Sequence, residues 1–127
     1  MAQKAKELYF TMPNKVGQLS RITDLLKRAR VNILHIAAWS EGSKACFQMV
    51  TSHNAKARKA LRGVAAGMKE SEVLVLNLGH KVGALDRVAK KLARAGVNIA
   101  CLAATTRGKR ASVLVRTNKN AKAARLV

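Results

Sequence analysis

The sequence contains little of what most functional motifs require. Aromatic residues make up 3% of the 127 residues, and there are only one proline and two cysteines. Cys46 and Cys101 are too few and too far apart for a zinc site or a disulfide framework, so we expect both to be small buried residues in strands. No stretch reaches the roughly 18–20 apolar residues of a membrane span, and no signal-peptide pattern opens the chain. These features predict a soluble cytoplasmic protein.

Acidic residues are also scarce, and they do not form a recognisable catalytic arrangement. The six Asp and Glu residues are never paired at spacings suited to general acid–base catalysis, and the three histidines have no consistent Ser or Cys partner. No Walker-type phosphate loop is present. The sequence therefore predicts a protein that is not an enzyme and that uses neither a cofactor nor a metal ion.

Basic residues, in contrast, are abundant. Twenty-five Lys and Arg give a formal net charge of +19 at pH 7, spread evenly along the chain. One interpretation is a polyanionic partner such as nucleic acid. The alternative is that the bases form an ordinary basic surface, because they follow the solvated helix faces of both repeats instead of forming one block.

A repeat with an offset of 66 residues organises the whole chain. Gly17 recurs as Gly83, and the Val-Asn-Ile that begins at Val31 recurs at Val97. An internal repeat of this kind indicates a tandem duplication of one small unit. We therefore expect a first unit over residues 1–70 and a second, C-terminally shorter unit over residues 71–127.

Each repeat shows the same succession of patterns. A short strand (residues 7–12 and 73–78) is followed by a turn with glycine and then by a helix with an apolar stripe beginning at Leu19 or Leu85. The apolar runs at residues 31–39 and 97–104 predict strands buried on both faces. After a hairpin and a further strand, Asn54 and Asn120 are predicted N-caps of a second helix. The first repeat continues into a possible strand near residues 66–72, for which the second repeat has no counterpart.

This order, together with Asn-x-x-Gly-x-Leu from Asn14 to Leu19 and the repeated Val-Asn-Ile, resembles the ACT domain family. The resemblance covers residues 6–127 in two copies. It implies an α+β fold of two ferredoxin-like (βαββαβ) units with antiparallel sheets, the second lacking its last strand. It also implies a regulatory protein that binds a small amino-acid-like metabolite between units.

The resemblance further implies which residues contact the ligand. They are the turn after the first strand, with its backbone amides, and the asparagine opening the second strand of the opposing unit. Two departures from the family pattern are valines in place of proline before the glycine and a histidine in place of Asn14 in the second repeat, so the first turn is favoured. The implied residues are Asn14, Lys15, Val16, Gly17, Gln18, Leu19, Asn32, His80, Lys81, Val82, Gly83, Ala84, Leu85 and Asn98.

Two functions follow from these observations. The leading hypothesis is a non-catalytic sensor that acts on a partner such as a regulated enzyme; the alternative is a basic module that binds RNA or other nucleic acid weakly. The four aromatic residues all lie in the first repeat, which does not favour base stacking of the kind used by sheet-based RNA readers. Apolar strands and a missing fourth strand also predict a homodimer.

Overall fold

The computed structural model describes residues 2–127 and consists of six strands and four helices. The strands are β1 (Ala2–Pro13), β2 (Ile33–Glu41), β3 (Lys44–Thr51), β4 (Ala66–Gly79), β5 (Ile99–Arg107) and β6 (Arg110–Thr117). The helices are α1 (Gln18–Arg28), α2 (Asn54–Leu61), α3 (Ala84–Arg94) and α4 (Asn120–Leu126). The α+β fold of two ferredoxin-like units predicted from the sequence is confirmed.

The chain divides into two compact units, and the division differs from the sequence prediction at the N-terminus. The first unit contains residues 6–71, and the second contains residues 2–5 together with residues 72–127. The predicted short strand near residues 7–12 is therefore a longer strand with its first residues in the second unit. Likewise, the two strands predicted around residues 66–78 are one continuous strand, β4, which also contributes to both units.

In the first unit the strand order is β2-β3-β1-β4, with β3 antiparallel to both β1 and β2. Leu8 and Phe10 of β1 and Phe47 of β3 point to one face, where they pack with Ile22 of α1 and Leu61 of α2. Both helices therefore cover the same face of the sheet. This arrangement follows from period-2 apolar positions in the strands and period-3.6 positions in the helices.

The second unit repeats this design with the order β1-β4-β6-β5. Its core brings Leu74 and Leu76 of β4 together with Val88 and Leu92 of α3. No strand follows α4 among the described residues, and residues 2–5 of β1 take the fourth-strand position of this unit. Ala2 packs against this core as Met68, its equivalent in the repeat, packs against the first.

The burial of the apolar runs differs from the prediction. Along β2 and β5 the side chains alternate between half-buried and exposed, and Leu34 is 62% exposed. The predicted burial on both faces is wrong for the single chain because β2 and β5 lie at the outer edges of their sheets. A continuous apolar run does not distinguish a central strand from an edge strand.

The starts of the short helices also differ from the prediction. The N-cap positions of α2 and α4 are His53 and Lys119, and the predicted caps Asn54 and Asn120 are the first helical residues. The Asn54 side-chain oxygen instead accepts hydrogen bonds from Thr51, as that of Asn120 does from Thr117. These asparagines therefore connect each helix to the preceding strand.

Among residues 2–127 no helix is long and apolar enough to cross a bilayer.

The ends of α1 and α3 allow a test of backbone strain at matched positions. Arg30 and Gly96 are equivalent in the repeat and both have positive φ angles, 58° and 70°. A non-glycine residue in this conformation costs about 1–2 kcal/mol, partly offset by the greater unfolded-state freedom of glycine. We expect Arg30→Gly to raise the free energy of unfolding by about 0.5–1 kcal/mol and Gly96→Arg to lower it, measured by urea denaturation.

The control for the lost charge is Arg30→Gln, which removes the guanidinium but keeps a side chain at the strained position. It should stabilise the protein less than Arg30→Gly. Equal stabilisation by the two variants would show that charge repulsion, and not backbone conformation, limits stability here.

Candidate functional site

The two turns between the first strand and first helix of each unit have nearly identical backbones. Gly17 and Gly83 occupy the N-cap positions of α1 and α3 with φ angles of 89° and 83°. A left-handed residue is needed there, which explains glycine at both positions. Because glycine has no side chain, neither helix is capped by a side-chain hydrogen bond. The first-turn amides have no intrahelical partners, and apart from the Ala84 N–H, which donates to the Lys81 carbonyl at 3.1 Å, they are available to an anionic group.

Some of the predicted site residues hold the first turn in place. The side-chain amide of Asn14 donates to the Gly42 carbonyl at 3.3 Å, and the side-chain amide of Gln18 donates to the Pro13 carbonyl at 2.7 Å. Gln18 is largely buried, whereas Lys15 and Val16 are exposed. The sequence thus located the turn, but two of its polar side chains are engaged within the fold.

The second turn is held by a backbone hydrogen bond that has its equivalent in the first turn, where the Asn14 N–H donates to the Ser43 carbonyl at 2.9 Å. His80 donates its N–H to the Lys109 carbonyl at 2.8 Å, which ties the turn to the β5–β6 hairpin. Lys81, Val82 and Leu85 are exposed, and Ala84 is half-buried. The turn is therefore similar in backbone to the first but has fewer side chains committed to structure.

The predicted asparagines lie at the other end of the sheet from the turn of their own unit. Asn14 bonds to the hairpin that precedes β3, whereas the Asn32 N–H donates to the Ser52 hydroxyl, just after β3, at 2.9 Å. The eight residues of β3 span roughly 23 Å at about 3.3 Å per residue. Asn98 is placed in the same way by Asn118, after β6. One unit alone does not bring turn and asparagine together.

An apolar cavity of about 340 Å³ lies at the second turn. His80, Lys81, Gly83, Ala84 and Leu85 of the predicted site line it, and Ala104 and Val113 form much of its sheet side. Its size is within the range of small-ligand pockets, which are mostly apolar with a few polar groups at one side. A neighbouring cavity of about 290 Å³ shares Lys81 and Ala84 and adds Arg87 and Lys91.

The electrostatics of the two helix starts differ. The first turn of α1 contains no acidic residue, whereas α3 has Asp86 at the position of Ser20. Asp86 pairs with Lys90 at 2.9 Å. A carboxylate on the ligand would meet less repulsion at the first turn, while the cavity gives more room at the second.

Three further potentially reactive side chains lie on strands, namely His35 on β2, Cys46 on β3 and Cys101 on β5. His35 is partly buried on the face of β2 that also carries Trp39, and burial lowers the pKa of its imidazole. Cys46 is buried and Cys101 is half-buried. Among residues 2–127, no three His, Cys, Asp or Glu side chains are close enough to share a metal ion.

The sequence did not predict that large apolar residues are exposed at matched positions of both repeats. Val16 and Val82 are fully exposed, and Leu19 and Leu85 are 52% and 42% exposed. The prediction that these leucines belong to the buried helix stripes is wrong, because each lies in the first helical turn, beyond the sheet-facing Ile22 or Val88. Ile36 and Leu102 form a third exposed pair on the edge strands. The recurrence of these apolar residues at the 66-residue offset is the sequence feature from which their exposure could have been predicted.

Comparison with known proteins agrees with this architecture. A model of the ACT domain pair family matches residues 4–127. The structure of protein BT0572 from Bacteroides thetaiotaomicron superposes with a TM-score of 0.90 at 25% identity, covering 98% of this chain and 87% of that chain. The ligand-free regulatory subunit of aspartate kinase from Thermus thermophilus gives a TM-score of 0.70 at 14% identity, covering 99% and 94%. No curated protein sequence is significantly similar to the chain.

The match to nearly the whole chain, with two units of the expected topology, defines a tandem regulatory-domain architecture. The chain belongs to the ACT domain pair family.

Proposed function

We propose that the protein is a non-catalytic sensor that binds a small amino-acid-like metabolite at the glycine-capped turns of its ACT units. The observation that carries the proposal is the repeated turn itself, with uncapped helix amides at Gly17 and Gly83 and an apolar cavity beside the second. Membership in the ACT domain pair family supports a regulatory role.

The carboxylate of such a ligand suits the helix start. The unpaired amides at a helix N-terminus carry a partial positive charge that favours anions. Lys15 and Lys81, equivalent in the repeat and exposed in the turns, add a full positive charge nearby. The apolar lining of the cavity, including Leu78, Ala104 and Val113, favours a ligand with an apolar side chain.

A second copy of the chain would complete this site. The amide side chains of Asn32 and Asn98 are exposed and lie roughly 23 Å from the turn of their own unit at about 3.3 Å per strand residue. They reach a ligand only if another unit presents them. The edge strands β2 and β5 carry exposed Ile36 and Leu102, so we infer a two-fold homodimer that covers one of these edges.

In this account, ligand binding changes how units pack, and that change alters the activity of a partner enzyme. A ligand shifts such an equilibrium only by its difference in affinity for the two packings. A ligand held by two copies has this property, because separation of the copies removes part of its site.

The ligand is tested by thermal denaturation with each of the twenty amino acids. A ligand at a hundredfold excess over its dissociation constant stabilises the protein by about 2.7 kcal/mol, so at least one should raise the melting temperature measurably. Ala104→Phe should abolish the rise in melting temperature caused by a ligand that binds in the second-unit cavity, because the phenyl ring would fill this cavity. No stabilisation of the native protein by any amino acid would contradict the proposed class of ligand.

Ala38→Phe is the matched control because Ala38 is equivalent to Ala104 in the repeat and is also exposed. If the second turn binds the ligand, Ala38→Phe should respond as the native protein does. The opposite pattern would assign the ligand to the first turn. A full response in both variants would exclude the turns as the site.

The homodimer is tested by light scattering. We expect about twice the monomer mass of 13.7 kDa at micromolar concentration and dissociation by the pair of substitutions Ile36→Glu and Leu102→Glu, which place charges on both edge strands. The control pair Thr23→Glu and Ala89→Glu adds the same charge on exposed helix positions and should leave the dimer intact. A mass of 13.7 kDa for the native protein would rule the dimer out.

A further inference from the structure

Four basic positions of the helices recur in both units. The bases in these four positions, which we call the basic quartet of each unit, are Arg21, Arg28, Lys56 and Lys59 in the first unit and Arg87, Arg94, Lys122 and Arg125 in the second. Many other surface positions differ between the repeats. A high net charge alone does not require basic residues at the same positions of both units.

Each quartet lies on a single layer of the fold. Helix α1 packs beside α2, and α3 packs beside α4. The apolar stripe of each helix, such as Val88 and Leu92 of α3, faces the core. Arg87, Arg94 and Arg125 are exposed, while Lys122 is half-buried and donates to the Ala95 carbonyl at 2.9 Å. The helix layer of the second unit therefore presents the three arginines of its quartet to solvent.

The helices of both units have six bases and one acid, but fewer of these bases form ion pairs in the second unit. In the first unit Asp24 pairs with Lys27 and Arg28, at 3.6 and 3.0 Å, and Glu70 pairs with Arg58 at 3.7 Å. The second unit has Lys90 at the position of Asp24, and Lys91 and Lys119 add further positive charge. Asp86, which pairs with Lys90, is the sole acidic residue in the sequences of α3 and α4.

The location of the aromatic side chains indicates which kind of polyanion suits this layer. The aromatic residues lie in strands, with Tyr9 and Trp39 in contact on the sheet face opposite the helices and Phe10 and Phe47 in the core. The helix sequences contain no aromatic residue. Single-stranded nucleic acid is bound largely by stacking bases on aromatic rings, so this layer suits the phosphate backbone of a duplex.

A membrane surface fits the layer less well. A helix that lies on a bilayer turns an apolar face toward the lipid. Here the apolar stripes of α3 and α4 are buried against the sheet, and the exposed apolar residues lie at the turns and edge strands.

We propose that the α3–α4 layer of the second unit binds the phosphate backbone of duplex nucleic acid, without base specificity. Arg87, Arg94 and Arg125 provide the main contacts. Because the contacts are electrostatic and solvent-exposed, affinity should be modest and should fall as salt concentration rises. This surface adjoins the amino-acid site at Arg87, which lines the neighbouring cavity, but the duplex test uses no amino acid, so either proposal can fail without the other.

The probe is a fluorescent 20-base-pair DNA duplex, titrated with the full chain over a series of salt concentrations. The variant R87Q/R94Q/R125Q removes three charges from the layer, and R107Q/K109Q/R110Q removes three from the exposed β5–β6 hairpin as a matched control. Circular dichroism and thermal denaturation establish that both variants fold.

We expect the layer variant to weaken duplex binding at least tenfold at low salt and the hairpin variant to weaken it less than about threefold. Each lost phosphate contact lowers the slope of log affinity against log salt by about 0.9, so three should lower it by about 2.7. Equal losses in the two variants would overturn the proposal in favour of a diffuse charge effect. Absence of duplex binding at low salt, or tighter binding to vesicles containing phosphatidylserine or to a single strand, would also overturn it.

Discussion

Completion of each four-stranded sheet is the constraint on which the rest of the structure depends. A unit of about 60 residues buries a modest core, and an unpaired inner strand would leave backbone groups without partners. The long strands β1 and β4 meet this requirement because each contributes residues to both units. Residues 2–5 supply the strand that the second unit lacks after α4, with Ala2 in the position that Met68 has in the first.

Most of the element order could be predicted from the sequence because the 66-residue repeat presents each pattern twice. Gly17 and Gly83 identify their turns without ambiguity, since both backbones need a left-handed residue. The origin of the second unit's fourth strand could not be predicted, because residues 2–5 have little apolar character and lie 66 positions before the segment that they match. The exposure of β2 and β5 was also missed, because apolar composition does not encode which strand is at an edge.

The candidate site shows the same division between local and long-range information. The turns, their uncapped helix starts and their exposed lysines follow from residues adjacent in sequence. The cavity at the second turn depends on Ala104 and Val113, small and β-branched residues from strands that follow later, and no local motif marks them. The opposite placement of Asn32 and Asn14 along β3 follows only from the topology, and it is the reason that we propose a site completed by a second copy.

A metabolite site shared between copies of the chain would couple ligand affinity to assembly, and a measurement of this coupling is the most direct test of the proposed site. Ligand binding should be measured by equilibrium dialysis at protein concentrations above and below the dissociation constant of the dimer. The mass at each concentration should be determined by light scattering. We expect binding per chain to fall together with the dimer fraction, since the proposed site takes its opposing asparagine from the second copy. Unchanged affinity in a monomer of 13.7 kDa would contradict it.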